Sequence, residues 1–156
     1  KEIGADINVE YVPTVPYSSE GVGMKNLVCI EDGKLKNMHA NCRYAYYLGM
    51  KPTGVYSKIS VQPGDMSFDD MKAHKGLYVV NFSDFQMDSL SGFFGGEIRL
   101  AYYNDGEKIV PVTGGSVNGT IIDAQKDFEF SKETQETSTF AGPKAILLKD
   151  ISVAGK

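Results

Sequence analysis

The sequence predicts an α+β fold dominated by antiparallel sheet, sandwich or barrel-like, with two or three short helices. Three observations carry this expectation. Two Asp-Gly pairs, Asp32-Gly33 and Asp105-Gly106, each lie between apolar runs; such pairs supply the positive φ angles that tight hairpin turns require. The apolar runs themselves are short and rich in β-branched and aromatic residues, as in LYVVNF and EIRLAYY, which is strand composition. Helix signals are confined to brief, well-capped stretches, so helices decorate the sheet without forming a layer of equal weight.

In chain order, the opening IGADINVEYVPTVPYSSEGVG, broken by Pro13 and Pro16, holds at most one short strand. KNLVCI and KLKNMHA form the first hairpin across Glu31-Asp32-Gly33. ANCRYAYYL (40–48) is a short helix closed by Gly49, where a left-handed cap costs little. KISVQ is a strand with Ile59 and Val61 on one face, broken by Pro63-Gly64. Ser67 and Asp70 start a helix over FDDMKAH in the manner of a capping box. LYVVNF reads as a short buried strand. EIRLAYY sets Ile98, Leu100 and Tyr102 against Glu97, Arg99 and Ala101. Asn104-Asp105-Gly106 then turns the chain into KIVPV, an edge strand because Pro111 cannot donate to a ladder. Gly114-Gly115 is a turn, a helix follows from about Asn118 as N-cap, SKETQETST is a solvated loop, and AILLKDISV is one closing strand.

A chain of 156 residues is expected to form a single domain over 1–156, large enough to hold a core without metal or disulfide. Lys1 opens it without Met, and we expect a segment of a longer polypeptide, though a processed N-terminus would look the same. No apolar stretch reaches the length that crosses a bilayer, and no membrane role is expected. The net charge is −4 and the only arginines are Arg43 and Arg99. Nucleic-acid binding draws its affinity from clustered cations, so it is not expected. Cys29 and Cys42 make no disulfide framework, which points to a reducing compartment.

The chemistry-bearing residues do not assemble by spacing. His39 and His74 are 35 positions apart, and no His-Glu-x-x-His cluster exists, so no catalytic or metal residue is assigned. His39 and Cys42, three apart at a helix start, are a weak nucleophile pair; a thiol there would have a lowered pKa. Asp65, Asp69 and Asp70 at a helix start are explained by the helix dipole. Gly92, Gly95 and Gly96 precede a strand and not a helix, so they are no phosphate cradle. Glycine beside a strand admits a second backbone. Gly92, Phe93, Phe94, Gly95, Gly96 and Glu97 are therefore either a peptide-docking edge or a tight internal packing site.

The order of motifs adds a resemblance. SSEGVGMKNLVCIEDGKLKNM, YYLGMKPTG, KISVQPGDMSFDDM, KGLYVVNF, SLSGFFGGEIRLAYYNDGEKIVPVTGGSVNGTIIDA and AGPKAILLKDISVAG follow one another from Ser18 to Gly155. This series resembles the C-terminal part of the TldD/PmbA family, peptidases also described as modulators of DNA gyrase. The resemblance implies a cytoplasmic, dimeric protein that cleaves unfolded peptides with zinc, in which TldD-type subunits pair with metal-lacking PmbA-type ones. Its zinc motif, His-Glu-x-x-x-His, lies upstream of the matched region and is absent here. The C-terminal metal-binding cysteine of the zinc-bearing members has no counterpart in TSTFAGPKAILLKD. Ser91-Gly92-Phe93-Phe94-Gly95 stands where Ser-Gly-Asp-Phe-Ser is the pattern, and Ala101-Tyr102 where Gly-Tyr is.

The expected function is thus a C-terminal domain that supplies sheet scaffold and a peptide-docking or dimerisation surface. No cofactor is expected in this chain, zinc belonging to an intact parent or a partner subunit. Expected partners are a TldD/PmbA-type subunit, as homo- or heterodimer, and unfolded peptide. Two alternatives stand beside it: part of an active zinc metallopeptidase with its motif upstream, or a purely structural module in which Gly-Phe-Phe-Gly is internal packing.

Overall fold

The computed structural model describes residues 6–155. In chain order its elements are β1 (Val9–Val12), β2 (Leu27–Glu31), β3 (Lys34–Leu35), α1 (Cys42–Leu48), β4 (Lys58–Val61), α2 (Phe68–Ala73), β5 (Gly76–Met87) and β6 (Phe93–Asn104). They continue with β7 (Ile109–Val112), β8 (Ser116–Thr120), α3 (Ile121–Ala124), β9 (Glu129–Phe130), β10 (Thr134–Glu136), β11 (Phe140–Pro143), β12 (Ile146–Leu147) and β13 (Ser152–Ala154). The α+β class with dominant antiparallel sheet and three short helices is what forms. No sheet among the described residues closes into a barrel.

The chain forms two compact units, Lys1–Gly64 with Glu133–Lys144, and Asp65–Lys132 with Ala145–Lys156. The first is built on a six-stranded sheet of order β10-β11-β4-β1-β2-β3. Asp32 (φ 49°) and Gly33 (φ 69°) make the first hairpin turn as expected. α1 starts at Asn41, whose side chain accepts from the Tyr44 N–H, and ends at Gly49 with φ 64°. Cys29 and Ala45 are buried, and Tyr11 packs against both His39 and Tyr56 with ring centroids 4.7 and 5.4 Å away. The polar segment read as a solvated loop is a hairpin: β10 pairs with β11, and β11 joins β4 in parallel through Phe140 and Ala141. Its exposed side chains concealed a strand whose order comes from backbone pairing.

The second unit holds a sheet of order β13-β8-β6-β5, with β7 also on β6, and the small pair β12-β9. Ser67 caps α2 by accepting from the Asp70 N–H, as the sequence pattern requires. Asp105 accepts from the N–H groups of Glu107 and Lys108 at 2.8 and 2.9 Å, which fixes the second hairpin turn. Pro111 sits opposite Tyr102 on β7, whose only strand partner among the described residues is β6. The core gathers Ile98, Ala101 and Val117 with Leu77, Val79, Phe82, Val112 and Ile151 around them.

Five readings of this unit are corrected. LYVVNF is only the start of β5, which runs twelve residues and is mostly exposed beyond Phe82. Within EIRLAYY the buried residues are Ile98 and Ala101, drawn from opposite sides of the expected alternation, beside the stretch where the β5–β6 ladder shifts register between Val79 and Asp84. Gly114-Gly115 is not a reversal: β7 and β8 pair with β6 in one continuous register, Ala101 opposite Val112 and Glu97 opposite Ser116. The following helix therefore begins later, with Thr120 and not Asn118 as N-cap. AILLKDISV is two strands on different partners, β12 and β13, separated at Asp150 by a φ of 54°.

Candidate functional site

The segment Gly92–Glu97 enters β6 directly after the tip of the β5–β6 hairpin. That tip is ordered by Asp88, whose carboxylate accepts from the Leu90 N–H at 2.9 Å and from the Ser91 hydroxyl at 2.6 Å. These donors, the Ser91 hydroxyl foremost, hold its pKa below the usual carboxylate range. Leu90 stands at the tip 95% exposed.

The six candidate residues divide sharply. Phe94 is buried at 6% exposure, while Phe93 is 48% exposed. Gly96 is needed for packing: a Cβ there would lie 2.7 Å from Phe82 Cδ1 and 2.9 Å from the Asp84 carbonyl oxygen. Gly92, buried, would meet Ile121 Cγ2 at 2.9 Å, and its carbonyl accepts the Ile121 N–H at 2.7 Å. The Glu97 carboxylate accepts from the Ser83 hydroxyl at 3.1 Å. The backbone from Phe94 to Glu97 is paired on both sides, Gly95 lying opposite Gln86 of β5 and Asn118 of β8. A strand cannot add where both edges are taken. The glycines admit neighbouring elements of this same unit, and the side chain left to meet a partner is Phe93.

The open edge belongs to β5. Its only strand partner among the described residues is β6, and it exposes Val80, Phe85 and Met87. Six consecutive residues, Val80–Phe85, line a shallow concavity of about 530 Å³ at the stretch where the ladder shifts register. The sequence signal for this edge was available in the run NFSDFQM, which continues strand composition past the apolar block.

The titratable residues stay apart. His39 lies in the first unit, its ring edge-on to Tyr11 and Tyr56, with a buried Nδ1 that has no hydrogen-bond partner among the described residues. It is therefore more enclosed than a solvated surface imidazole. His74 is the exposed C-cap of α2 in the second unit. Burial first, and then a hydrogen bond with Cys29, push the Tyr11 hydroxyl up to about 12. Cys42 is free and exposed. Its thiol pKa is raised, by local desolvation first and then by Glu20, whose carboxylate also accepts the Cys42 N–H at 2.8 Å. The helix-start thiol is thus not activated: local desolvation, and after it the Glu20 carboxylate, outweigh the backbone hydrogen bond that favours the thiolate. Cys42 is expected to alkylate more slowly than a free cysteine at neutral pH, and Glu20→Gln to speed the reaction. Iodoacetamide kinetics across pH check this, and a faster wild-type rate would contradict it.

No three His, Cys, Asp or Glu side chains among the described residues gather closely enough to hold a metal. No described helix is long and apolar enough to cross a membrane. Fold and site together define a sheet-rich domain in which β5 presents an open strand edge. The chain belongs to the PmbA/TldA metallopeptidase C-terminal domain family, whose model matches residues 7–155. It is similar to a metalloprotease of Methanothermobacter thermautotrophicus, 25% identical over 139 residues, covering 80% of this chain and 31% of that protein. The fold matches a structure described as a candidate DNA gyrase modulator from Thermotoga maritima, with TM-score 0.84 at 18% identity, over 99% of this chain and 40% of that one. A similarly described protein from Bacteroides thetaiotaomicron gives 0.85 at 19%, over 100% and 38%. TldE from Thermococcus kodakarensis gives 0.84 at 16%, over 99% and 41%. The chain thus spans about a third to two-fifths of the length of these relatives.

The metal that a metallopeptidase family implies does not fit the donors described here. His39 and His74 fall in different units, Cys29 is buried in the first, and no acidic pair completes a set.

Proposed function

We propose that this chain is the non-catalytic sheet domain of a TldD/PmbA-type protein, offering a docking surface for unfolded peptide or for a second such subunit. The observation that supports it most directly is the long β5–β6 hairpin, which leaves one strand edge open and exposes Phe85, Met87, Leu90 and Phe93 along its outer half. An open edge pairs with any extended main chain, so it suits substrates recognised with little sequence preference. Metal ligands, where the parent has them, come from the part of the protein upstream or from a partner subunit, and the setting is the cytoplasm. The parent is either a zinc peptidase or a metal-lacking partner; the presence of His-Glu-x-x-x-His upstream distinguishes these.

The test uses the full-length parent. A reduced, alkylated, unfolded protein on beads is expected to retain it, and Phe93→Ser is expected to lower retention with the melting temperature unchanged. Failure of the wild-type parent to bind, with the hairpin shown accessible by limited proteolysis, would overturn the docking role.

A further inference from the structure

We propose that helix α1 (Cys42–Leu48) is the seat for the upstream part of the parent chain, whose contacting surface is apolar and carries a carboxylate facing Arg43. This takes from the reading above only that the parent is longer than this chain; it stands or falls apart from peptide docking.

The helix is fixed locally and left bare. Asn41 accepts the Tyr44 N–H at its start, and the Gly49 N–H donates to the Ala45 and Tyr46 carbonyls at its end. Of its seven residues only Ala45 is buried, while Tyr44, Tyr46, Tyr47 and Leu48 are 60, 84, 66 and 58% exposed. The helical turn sets Arg43 and Tyr47 opposite Ala45, with Tyr44 and Tyr46 flanking them. The Arg43 guanidinium lies 5.9 Å from the centre of the Tyr47 ring, and Tyr46 meets Tyr47 edge-on at 5.9 Å. These contacts order the cluster before any partner arrives. The helix holds no Lys, Asp or Glu. Tyrosine and arginine in the absence of those three is the composition of an interface core and not of a solvated face.

Length and area say what covers it. The matched family is that of a C-terminal domain, and the chain spans 31–41% of the relatives described above, so most of each relative lies outside the match. An aromatic side chain buries about 150–250 Å², so at these exposures the three tyrosines present about 300–500 Å² together. A stable complex of separate chains buries about 800 Å² per partner, more than these rings offer. Two parts of one chain need less, because the tether supplies the effective concentration. Charge sets the last requirement. No ion pair among the described residues includes Arg43, and a guanidinium taken out of water needs a carboxylate against it.

The experiment uses the full-length parent. Hydroxyl-radical footprinting is expected to label Tyr44, Tyr46 and Tyr47 at least about fivefold more slowly in the folded parent than in urea, as befits rings in an interface core. Rings left at the exposures above would react at nearly the unfolded rate. With p-benzoylphenylalanine substituted for Tyr46, irradiation is expected to join α1 to the preceding part of the parent at unchanged mass. Arg43→Glu, which sets two carboxylates face to face, is expected to lower the melting temperature at least about 2 °C further than Arg43→Gln. A product of twice the parent's mass would assign α1 to a second copy and overturn the proposal. A crosslink confined to residues 1–156, no crosslink, or labelling at the unfolded rate would overturn it as well. Equal melting temperatures for the two Arg43 variants would overturn the facing carboxylate. Should the crosslinking variant fail to fold by circular dichroism, the unaltered parent is footprinted after dilution to monomers: protection that persists upholds the contact within one chain, and protection that is lost overturns it.

Discussion

Phe94→Ala is expected to destabilise the protein by about 3–5 kcal/mol, the usual cost of deleting a buried phenylalanine ring. The ring is 6% exposed and fills the space above Gly119, where a Cβ would come within 3.0 Å of its Cζ. It also stacks with Phe85 at a centroid distance of 6.3 Å. Whole domains are stable by only about 5–15 kcal/mol, so this one change removes a large share. The neighbouring Phe93→Ala, at a ring 48% exposed, is expected to cost less than about 1 kcal/mol. Urea unfolding of both variants decides the matter: a lower midpoint at unchanged slope is expected for Phe94→Ala alone. Equal midpoints would mean that Gly-Phe-Phe-Gly packs differently from the arrangement described.

Gly115→Ala carries the second largest effect. Gly115 has a φ of 76°, and a Cβ there would collide with the Ala154 carbonyl oxygen. The left-handed conformation costs an L-residue about 1–2 kcal/mol, and forcing a crowded site apart adds about 1–3 kcal/mol. The carbonyl belongs to backbone, so relief requires β13 to move away from β8, where Ala154 pairs with Ser116. Hydrogen exchange is expected to show lost protection at Val153 and Val117, together with a lower melting temperature. Gly114→Ala, at φ 78° but with open space around the added carbon, should lower the melting temperature less and leave that exchange unchanged. Identical behaviour of the two variants would show that backbone conformation alone, and not the close approach, governs this site.

Local devices were the legible part of this sequence. Asp32-Gly33, Asn41, Gly49, Ser67 and Asp105 act through neighbours a few residues away, and each does in the structure what its chemistry requires. Pairings that depend on distant chain were not legible. Thr134–Glu136 has no apolar side chain to mark it, and becomes a strand because Phe140–Pro143 returns beside it. Gly114-Gly115 looks like a reversal but serves as a kink within one long pairing partner of β6. The candidate segment Gly92–Glu97 lies on β6, next to the strand β5 that carries the open edge. Glycines signal close approach without saying which backbone approaches, and here β5 and β8 already occupy both sides of β6. The open edge lies one strand outward, in a run whose polar residues, Asn81, Ser83 and Asp84, hid its continuity.

The chain leaves its first unit after Gly64 and returns to it only at Glu133. On an emerging polypeptide, Ile59 and Ser60 of β4 must therefore wait for Phe140 and Ala141 before that side of their sheet is filled. Long loop closure is slow relative to local pairing. The second unit has its hairpin β5–β6 within reach much earlier, so at the ribosome that hairpin should form before β11 fills its place, while β13, the last strand made, completes the second unit at the end. A nascent chain stalled with residues up to 132 exposed would leave β4 a sticky margin, and would be the form most in need of a chaperone.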